Sequence, residues 1–123
     1  MMKPKNIVVT GGNSGIGFET VKALYDQGHN VIFGSRSAAK NQEAVTEISK
    51  QKGGSVVAFA LDLSQRKSIE EFVKNVKSKF DHIDILVNNA GLTIGERKIS
   101  EIGYEMTLTI NHFGPFYLTS LLW

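Results

Sequence analysis

Short apolar runs alternate with longer amphipathic runs along the 123 residues of the chain. Four apolar runs have the length and composition of buried strands, and they lie at 7–9, 31–33, 56–61 and 83–87. The run at 56–61 is almost continuously apolar, which is expected of a parallel strand covered on both faces. The pattern therefore predicts four strands, with room for a helix after each of them.

Apolar residues at helical spacing follow each predicted strand and predict helices there. Gly28 is expected to cap the end of the first helix, while Ser37 and Ser64 are expected to cap the starts of the next two. The last helix is expected from about Ser100, with a kink at Gly114–Pro115. Alternating strands and helices predict an α/β fold built on a parallel sheet with right-handed crossovers. In such sheets, ligands bind beyond the carboxyl ends of the strands, where the strand order reverses.

Charge and composition narrow the range of partners. The formal net charge is +2 and the basic residues are scattered, so we expect neither nucleic acid nor an anionic membrane as a partner. The chain has no cysteine, which fits a reducing, cytoplasmic compartment. An apolar strand directly follows Met1–Lys5, so neither a signal peptide nor a membrane anchor is expected. His29, His82 and His112 lack metal-ligand spacing, so no metal site is expected.

A glycine-rich stretch between the first strand and the first helix is the first candidate site. Residues 10–17 read Thr-Gly-Gly-Asn-Ser-Gly-Ile-Gly, and glycine allows either a positive φ or the close approach of a phosphate to the backbone. The free N–H groups and the dipole at the start of the following helix attract an anion. We therefore expect a pyrophosphate-bearing ligand; the alternative is a glycine-rich loop without a ligand.

The end of the second strand is the second candidate site, because it lies within reach of an adenosine ribose. An acidic residue there favours NAD, whereas a basic residue pairs with the 2′-phosphate of NADP. This chain has Ser35 and Arg36 at that point, and a guanidinium forms a planar, charge-assisted clamp on phosphate. We expect NADP, with NAD less favoured; the alternative is a surface arginine that follows a strand.

Two further strand ends carry polar or small residues. Asp62 follows the third strand and is placed to accept from an adenine amino group, although a turn or helix-start acid is the alternative. Asn88–Gly91 follows the fourth strand with two amides and two small residues. Such residues pair buried backbone groups and leave room for a flat cofactor ring; the alternative is a simple turn.

Together these stretches resemble the short-chain dehydrogenase/reductase family. Residues 10–17 match its T-G-x-x-x-G-I-G loop, Asp62–Leu63 its adenine-site pair and Asn88–Gly91 its N-N-A-G motif. Asn111, followed by Gly114–Phe116, matches its helical asparagine. The resemblance covers the whole chain. Arg36 and the Asn-His-Phe-Gly stretch look most like the NADP-using, retinol-dehydrogenase-like branch.

The resemblance implies a Rossmann-type doubly wound parallel sheet, truncated after the fourth strand and its following helix. It implies hydride transfer between a nicotinamide and a small alcohol or carbonyl substrate, with Asn111 as a catalytic asparagine that orients a water. The implied cofactor-binding residues are Gly11, Asn13, Ser14, Gly15, Ile16 and Gly17 at the phosphates and adjoining ribose, Asp62 and Leu63 at the adenine, and Asn89, Ala90 and Gly91 on the nicotinamide side.

The sequence departs from the family at the acid/base pair. The family's reaction requires a tyrosine with a lysine four residues later, which lowers the pKa of the tyrosine. The three tyrosines of this chain are followed four positions on by His29, Leu108 and Leu121. We therefore expect residues 1–123 to be the dinucleotide-binding part of such an enzyme, an inactive fragment without its catalytic part.

Two alternatives to that interpretation stay open at this point. One is a non-catalytic nucleotide-binding module, and the other is a truncated chain that acts only in association with another chain. Self-association is expected through the fourth strand, which the family's strand order leaves without its next neighbour, and through the apolar closing helix.

Overall fold

The computed structural model describes residues 3–12, 15–89 and 114–122. Within these ranges the helices and strands alternate as the sequence predicts. They are β1 Asn6–Thr10, α1 Gly15–Asp26, β2 Asn30–Ser35, α2 Ala38–Ile48, β3 Ser55–Ala60, α3 Arg66–Lys79, β4 Ile85–Val87 and α4 Gly114–Leu122. The predicted start of the last helix near Ser100 lies outside the described residues.

The four described strands form one parallel sheet in the order β3-β2-β1-β4. β1 is central, and its residue Ile7 pairs with Val31 on one side and with Ile85 on the other. The chain runs outward from β1 to β3 and then returns to the opposite side of β1 as β4. The strand order therefore reverses between β1 and β4, which is the position where ligands bind in open α/β sheets.

Alternate residues of each strand face opposite layers of helices. Val8 and Ile32 lie in one apolar cluster with Phe72 of α3 and Leu118 of α4. The residues next to them in β1 and β2 lie in a second cluster on the other face: Ile7, Val9, Val31 and Phe33, with Val21 of α1 and Ile48 of α2. Two cores on the two faces of a parallel sheet confirm the doubly wound α/β fold, with a layer of helices on each face.

Two of the three predicted helix caps are confirmed. Gly28 has φ 92° and donates its N–H to the carbonyl of Tyr25 at 3.0 Å, and the Ser37 side chain accepts from Lys40 N–H at 3.2 Å. The prediction for Ser64 is wrong, because α3 begins at Arg66 with Gln65 as its N-cap. The Ser64 hydroxyl instead donates to Asp62 Oδ1 at 2.6 Å.

The last two strands differ in detail from the sequence pattern. Helices pack on both faces of β3. Residues 56–59 are nevertheless only half-buried, because β3 is an edge strand of the sheet. β4 is shorter than the predicted run 83–87. Asp84, just before it, is joined to Asn6 by two 2.8 Å hydrogen bonds, one from the Asp84 N–H and one to its carboxylate.

Candidate dinucleotide site

The loop after β1 turns sharply at Gly11. Its φ is 74°, a left-handed conformation that residues other than glycine adopt at a cost, and its N–H donates to the carbonyl of Gly34 at 2.7 Å. Gly34 lies in β2, so this bond ties the loop to the end of the neighbouring strand. The backbone at the carboxyl end of β1 is thereby held in one conformation before α1 begins.

Gly17 brings the first turn of α1 against this loop. A Cβ built on Gly17 would lie 2.0 Å from the carbonyl oxygen of Gly11 and 2.5 Å from Nδ2 of Asn89. Both distances are far below van der Waals contact, and the first obstacle is backbone that cannot rotate away. A glycine is therefore needed for the helix start, the β1 loop and the end of β4 to meet.

Asn89 connects the end of β4 to the same loop. Its backbone N–H donates to Thr10 Oγ1 at 3.0 Å, and its side-chain Nδ2 donates to the carbonyl of Gly11 at 3.3 Å. Thr10 is fully buried, which is unusual for a polar side chain and is explained by this bond. The sequence analysis used Thr10 only as part of the glycine-rich motif. In the structure, its hydroxyl joins the end of β1 to the end of β4, where the strand order reverses.

The start of α1 is open to solvent beside this junction. Gly15 is exposed, and the Ile16 side chain is 79% exposed, the largest exposure among the large apolar residues described. The first turn of α1 carries no acidic residue, so nothing in it repels an anion. The first N–H groups of a helix lack intrahelical partners, and their partial positive charge fits a diphosphate. Asn13 and Ser14 lie outside the described residues.

At the end of β2, the Ser35 side chain is hydrogen-bonded within the chain, whereas the Arg36 side chain is exposed to solvent. The Ser35 hydroxyl donates to Oδ1 of Asn41, and Asn41 Nδ2 donates to the carbonyls of Ser35 at 3.2 Å and Phe59 at 3.4 Å. Arg36 is exposed and forms no ion pair within the described part of the chain. Its guanidinium is therefore available to an anionic ligand.

Asn41 is a residue that the sequence analysis missed. It lies in α2 and is 4% exposed, so it is a buried amide rather than a surface residue. The signal in the sequence was its spacing of three and seven residues from Ala44 and Ile48, which places all three on the core-facing side of the helix.

Asp62 forms the turn that was its alternative interpretation. Its Oδ1 accepts from the Ser64 N–H at 2.9 Å and from the Ser64 hydroxyl, while its own N–H donates to Ser68 Oγ at 2.8 Å. Leu63 is 5% exposed and belongs to the apolar cluster that contains Leu118. A Cβ built on Gly114 would lie 2.4 Å from the Leu63 carbonyl oxygen, so α4 packs closely against this turn.

Hydrogen bonds join the carboxyl ends of all four described strands. Asn89 binds the β1 loop, Gly11 binds β2, and the Leu61 N–H after β3 donates to the Ser35 carbonyl at 3.0 Å. The structure thus brings Gly11, Gly17 and Asn89 into direct contact and places Ser35, Arg36 and Asp62 at the same edge of the sheet. Ala90, Gly91 and Asn111 lie outside the described residues.

The two described tyrosines do not have the environment of a catalytic acid. Tyr25 is 7% exposed and donates its hydroxyl to the Gln51 carbonyl at 2.8 Å. The hydroxyl of Tyr117 donates to Glu70 Oε2 at 2.5 Å, and this bond raises the pKa of Tyr117. A general acid/base near neutral pH requires the opposite shift.

Comparison with family models identifies the protein family of the chain. The short chain dehydrogenase model matches residues 5–123. The chain belongs to the short-chain dehydrogenase family. Human retinol dehydrogenase 11 is 40% identical over 119 residues, which cover 96% of this chain and 37% of that protein. WW domain-containing oxidoreductase from Gallus gallus is also 40% identical over 119 residues, covering 96% of this chain and 29% of that protein. The chain thus spans about a third of the length of these relatives.

Solved structures of this family share the fold and carry either form of the cofactor. The alcohol dehydrogenase from Thermococcus sibiricus in complex with 5-hydroxy-NADP has a TM-score of 0.84 and 30% identity, and 98% of this chain matches 52% of it. L-sorbose reductase from Gluconobacter frateurii in complex with NADPH and L-sorbose has a TM-score of 0.85 and 25% identity, and 98% of this chain matches 47% of it. An NADH-dependent reductase, A1-R′, in complex with NAD has a TM-score of 0.79 and 26% identity, and 98% of this chain matches 51% of it. The family relation alone therefore leaves the choice between NADP and NAD open.

None of the helices in the described ranges is long and apolar enough to cross a membrane.

Proposed function

We propose that residues 1–123 are the dinucleotide-binding part of a short-chain dehydrogenase/reductase that uses NADP(H). The contact between Gly11, Gly17 and Asn89 carries this proposal. It brings a left-handed glycine turn, an open helix start and the end of β4 together where the strand order reverses. This is the arrangement that binds the diphosphate of a dinucleotide in doubly wound sheets.

The preference for NADP rests on the end of β2. Arg36 is exposed and without an ion pair to any described residue, and Ser35 stands where an acidic residue would favour NAD. The first turn of α2, which begins directly after this segment, contains no acidic residue. A 2′-phosphate bound here would meet a guanidinium and a helix start, both of which favour negative charge. The Ser35 hydroxyl donates to Asn41, so Arg36 has the main role.

When bound, the dinucleotide supplies the nicotinamide carbon that takes or gives the hydride. The chain's own residues bind and orient it. The N–H groups at the start of α1, together with Asn13 and Ser14, would hold the diphosphate, and the exposed Ile16 side chain would cover the adjoining ribose. Asn89 fixes the loop on the nicotinamide side, next to Ala90 and Gly91. Asp62 and Leu63 would flank the adenine, where the buried Leu63 would offer its backbone rather than its side chain.

The reaction that we propose for the whole enzyme is hydride transfer to or from a small alcohol or carbonyl compound, with Asn111 orienting a water. For the 123-residue chain itself we expect cofactor binding without turnover. The sequence has no tyrosine followed four residues later by lysine, and Glu70 raises the pKa of Tyr117. These observations favour a nucleotide-binding module as the second candidate. Asn111-dependent oxidation of NADPH by the purified chain would exclude that candidate.

Two further properties belong to the same proposal. Self-association through β4 and α4 is supported by the position of β4, which has β1 on one side and no described strand on the other. A cytoplasmic location stays a prediction from the composition.

Calorimetric titration with NADP+ and NAD+ tests the cofactor proposal. We expect the chain to bind NADP+ more tightly, and Arg36→Ala to remove this preference at a cost of about 1.5–3 kcal/mol, the value of hydrogen bonds to charged groups. Lys52→Ala is the matched control. It removes the same charge from an exposed position between α2 and β3, at the opposite edge of the sheet. Equal affinities of the unaltered chain for both cofactors would refute the preference.

A further inference from the structure

We propose that Asn41 is a positioning residue for cofactor selectivity, which acts on NADP binding through Arg36. This inference rests on the proposed function, because it assigns the orientation of the arginine that receives the 2′-phosphate. Asn41 itself lies in α2, five residues after Arg36, and contacts no phosphate. Its role is to hold the backbone from which the Arg36 side chain departs.

The amide of Asn41 joins the ends of two strands. Its Nδ2 donates to the carbonyl of Ser35, the last residue of β2, and to the carbonyl of Phe59 in β3. Its Oδ1 accepts from the Ser35 hydroxyl. Asn41 is 4% exposed, and a buried amide is costly unless its polar atoms are bonded. These three bonds satisfy it and also fix Ser35 from both its side chain and its main chain.

Fixing the Ser35 carbonyl also fixes Arg36. The Ser35 carbonyl, the Arg36 N–H and the Arg36 Cα belong to one planar peptide unit, so the direction of that carbonyl sets the direction of the Arg36 N–H and the position of its Cα. The carbonyl accepts hydrogen bonds from Asn41 Nδ2 at 3.2 Å and from the Leu61 N–H at 3.0 Å. Because hydrogen bonds from Asn41 and Leu61 hold this peptide plane, the Arg36 Cα is restricted to one position before the cofactor binds. Less conformational entropy is then lost when the guanidinium binds phosphate.

The hydroxyl bond explains why the effect passes through Arg36 rather than through Ser35. Because the Ser35 proton is donated to Asn41 Oδ1, that hydroxyl does not donate to a phosphate in this arrangement. In the proposal, Asn41 supports NADP binding through the arginine, and its loss is expected to weaken this binding by loosening the arginine. NAD lacks the 2′-phosphate and does not need this arginine, so its binding is expected to stay unchanged.

A double-mutant cycle tests the inference. Affinities for NADP+ and NAD+ are measured by calorimetry for the unaltered chain, Asn41→Ala, Arg36→Ala and the double variant. We expect Asn41→Ala to weaken NADP+ binding about three- to tenfold, as for the loss of a neutral hydrogen bond, to leave NAD+ binding unchanged, and to have no further effect in the Arg36→Ala background. Gln42→Ala, an exposed neighbour in the same helix, is the control and should change neither affinity.

If Asn41 only stabilised the fold, Asn41→Ala would change the two cofactor affinities in a different way. If Asn41→Ala weakens binding of both cofactors equally, or keeps its effect when Arg36 is absent, the inference is overturned. If Arg36→Ala changes selectivity and Asn41→Ala does not, the inference fails while the proposed function stands. If Arg36→Ala leaves selectivity unchanged, the proposed NADP preference itself fails.

Asn41→Leu keeps the test decisive if the alanine variant does not fold. Leucine has nearly the same shape as asparagine and suits the buried position, but it removes the two donated hydrogen bonds and the acceptor for the Ser35 hydroxyl without adding a charge. We expect a loss of about three- to tenfold in NADP+ affinity with unchanged NAD+ affinity. An equal loss for both cofactors would overturn the inference.

Discussion

The side-chain amide of Asn89 donates a 3.3 Å hydrogen bond to the carbonyl oxygen of Gly11, a residue 78 positions earlier in the chain. The same Nδ2 lies against the position that a side chain on Gly17 would occupy. One amide therefore keeps the β1 loop, the start of α1 and the end of β4 together. In the proposed function this contact sets the shape of the diphosphate site before the cofactor arrives.

Replacing Asn89 by alanine should weaken dinucleotide binding. The change removes the bond to Gly11 but keeps the backbone bond to Thr10, so the fold should persist with a looser loop. We expect a loss of about 0.5–1.5 kcal/mol in the free energy of NADP+ binding, measured by calorimetry. Asn88→Ala is the matched control, because Asn88 is the exposed preceding amide. An equal loss in both variants would argue against the role of Asn89.

Asp84 should make the stability of the chain depend on pH in acid. The hydrogen bond from the Asn6 N–H to its carboxylate is the main cause that lowers the pKa of Asp84. A group with a lowered pKa in the folded state stabilises that state above its ordinary pKa, and the contribution is lost as the pH falls below about 4. Asp84→Asn should therefore unfold at a lower temperature at pH 7 and lose less stability than the unaltered chain on acidification.

The control for this prediction is Asp81→Asn. Asp81 is an exposed carboxylate whose Oδ1 lies 2.7 Å from Nδ1 of His82, and it makes no bond to β1 among the described contacts. Its replacement should leave the acid-dependent loss of stability in place. Thermal unfolding midpoints measured between pH 2 and pH 7 report both variants. The same acid profile in Asp84→Asn and in the unaltered chain would contradict the assignment.

Ile85 should control self-association of the chain. It lies in β4 and is 42% exposed, and β4 borders an open groove lined by Ile83, Leu86 and Leu122. An apolar strand edge is prone to pair with another chain, and lysine on such an edge opposes pairing. Sedimentation velocity should detect concentration-dependent association of the unaltered chain and less of it in Ile85→Lys. Thr46→Lys adds the same charge to the exposed face of α2 and should not reduce association.

A monodisperse monomer over the same concentrations, with slow amide exchange in residues 85–87, would show that this edge is protected. The open groove beside β4 would then have no part in association of the 123-residue chain.

The sequence predicted the sheet and the position of the site because both depend on local patterns. Apolar runs and glycine spacing indicated the parallel strands and the loop at Gly11 without knowledge of tertiary contacts. The cap at Ser64 was wrong because its hydroxyl has a competing partner in Asp62, two residues away. Local propensity alone does not reveal which of two nearby acceptors or donors such a hydroxyl will choose.

Other features depend on contacts between distant residues. The junction of Asn89 with Thr10 and Gly11 spans 79 and 78 positions, so a list of motifs places these residues at the same site without showing how they touch. The spacing of Asn41 from Ala44 and Ile48 places it on the core-facing side of α2, but it does not show which groups of β2 and β3 its amide binds. Its hydrogen bonds to the Ser35 and Phe59 carbonyls explain why a polar residue is buried there, and they join β2 to β3.

In the proposed function, the dinucleotide binds at the carboxyl ends of the strands, where Gly11, Gly17 and Asn89 meet. Mapping of backbone amide shifts by nuclear magnetic resonance during titration with NADP+ tests it without altering the chain. We predict that the amides of Gly11, Gly17, Arg36 and Asn89 shift together, while those of Asn30 and Ser55 at the amino edge stay in place. Shifts centred on the amino ends of the strands, or no shifts at saturating NADP+, would contradict this location of the binding site.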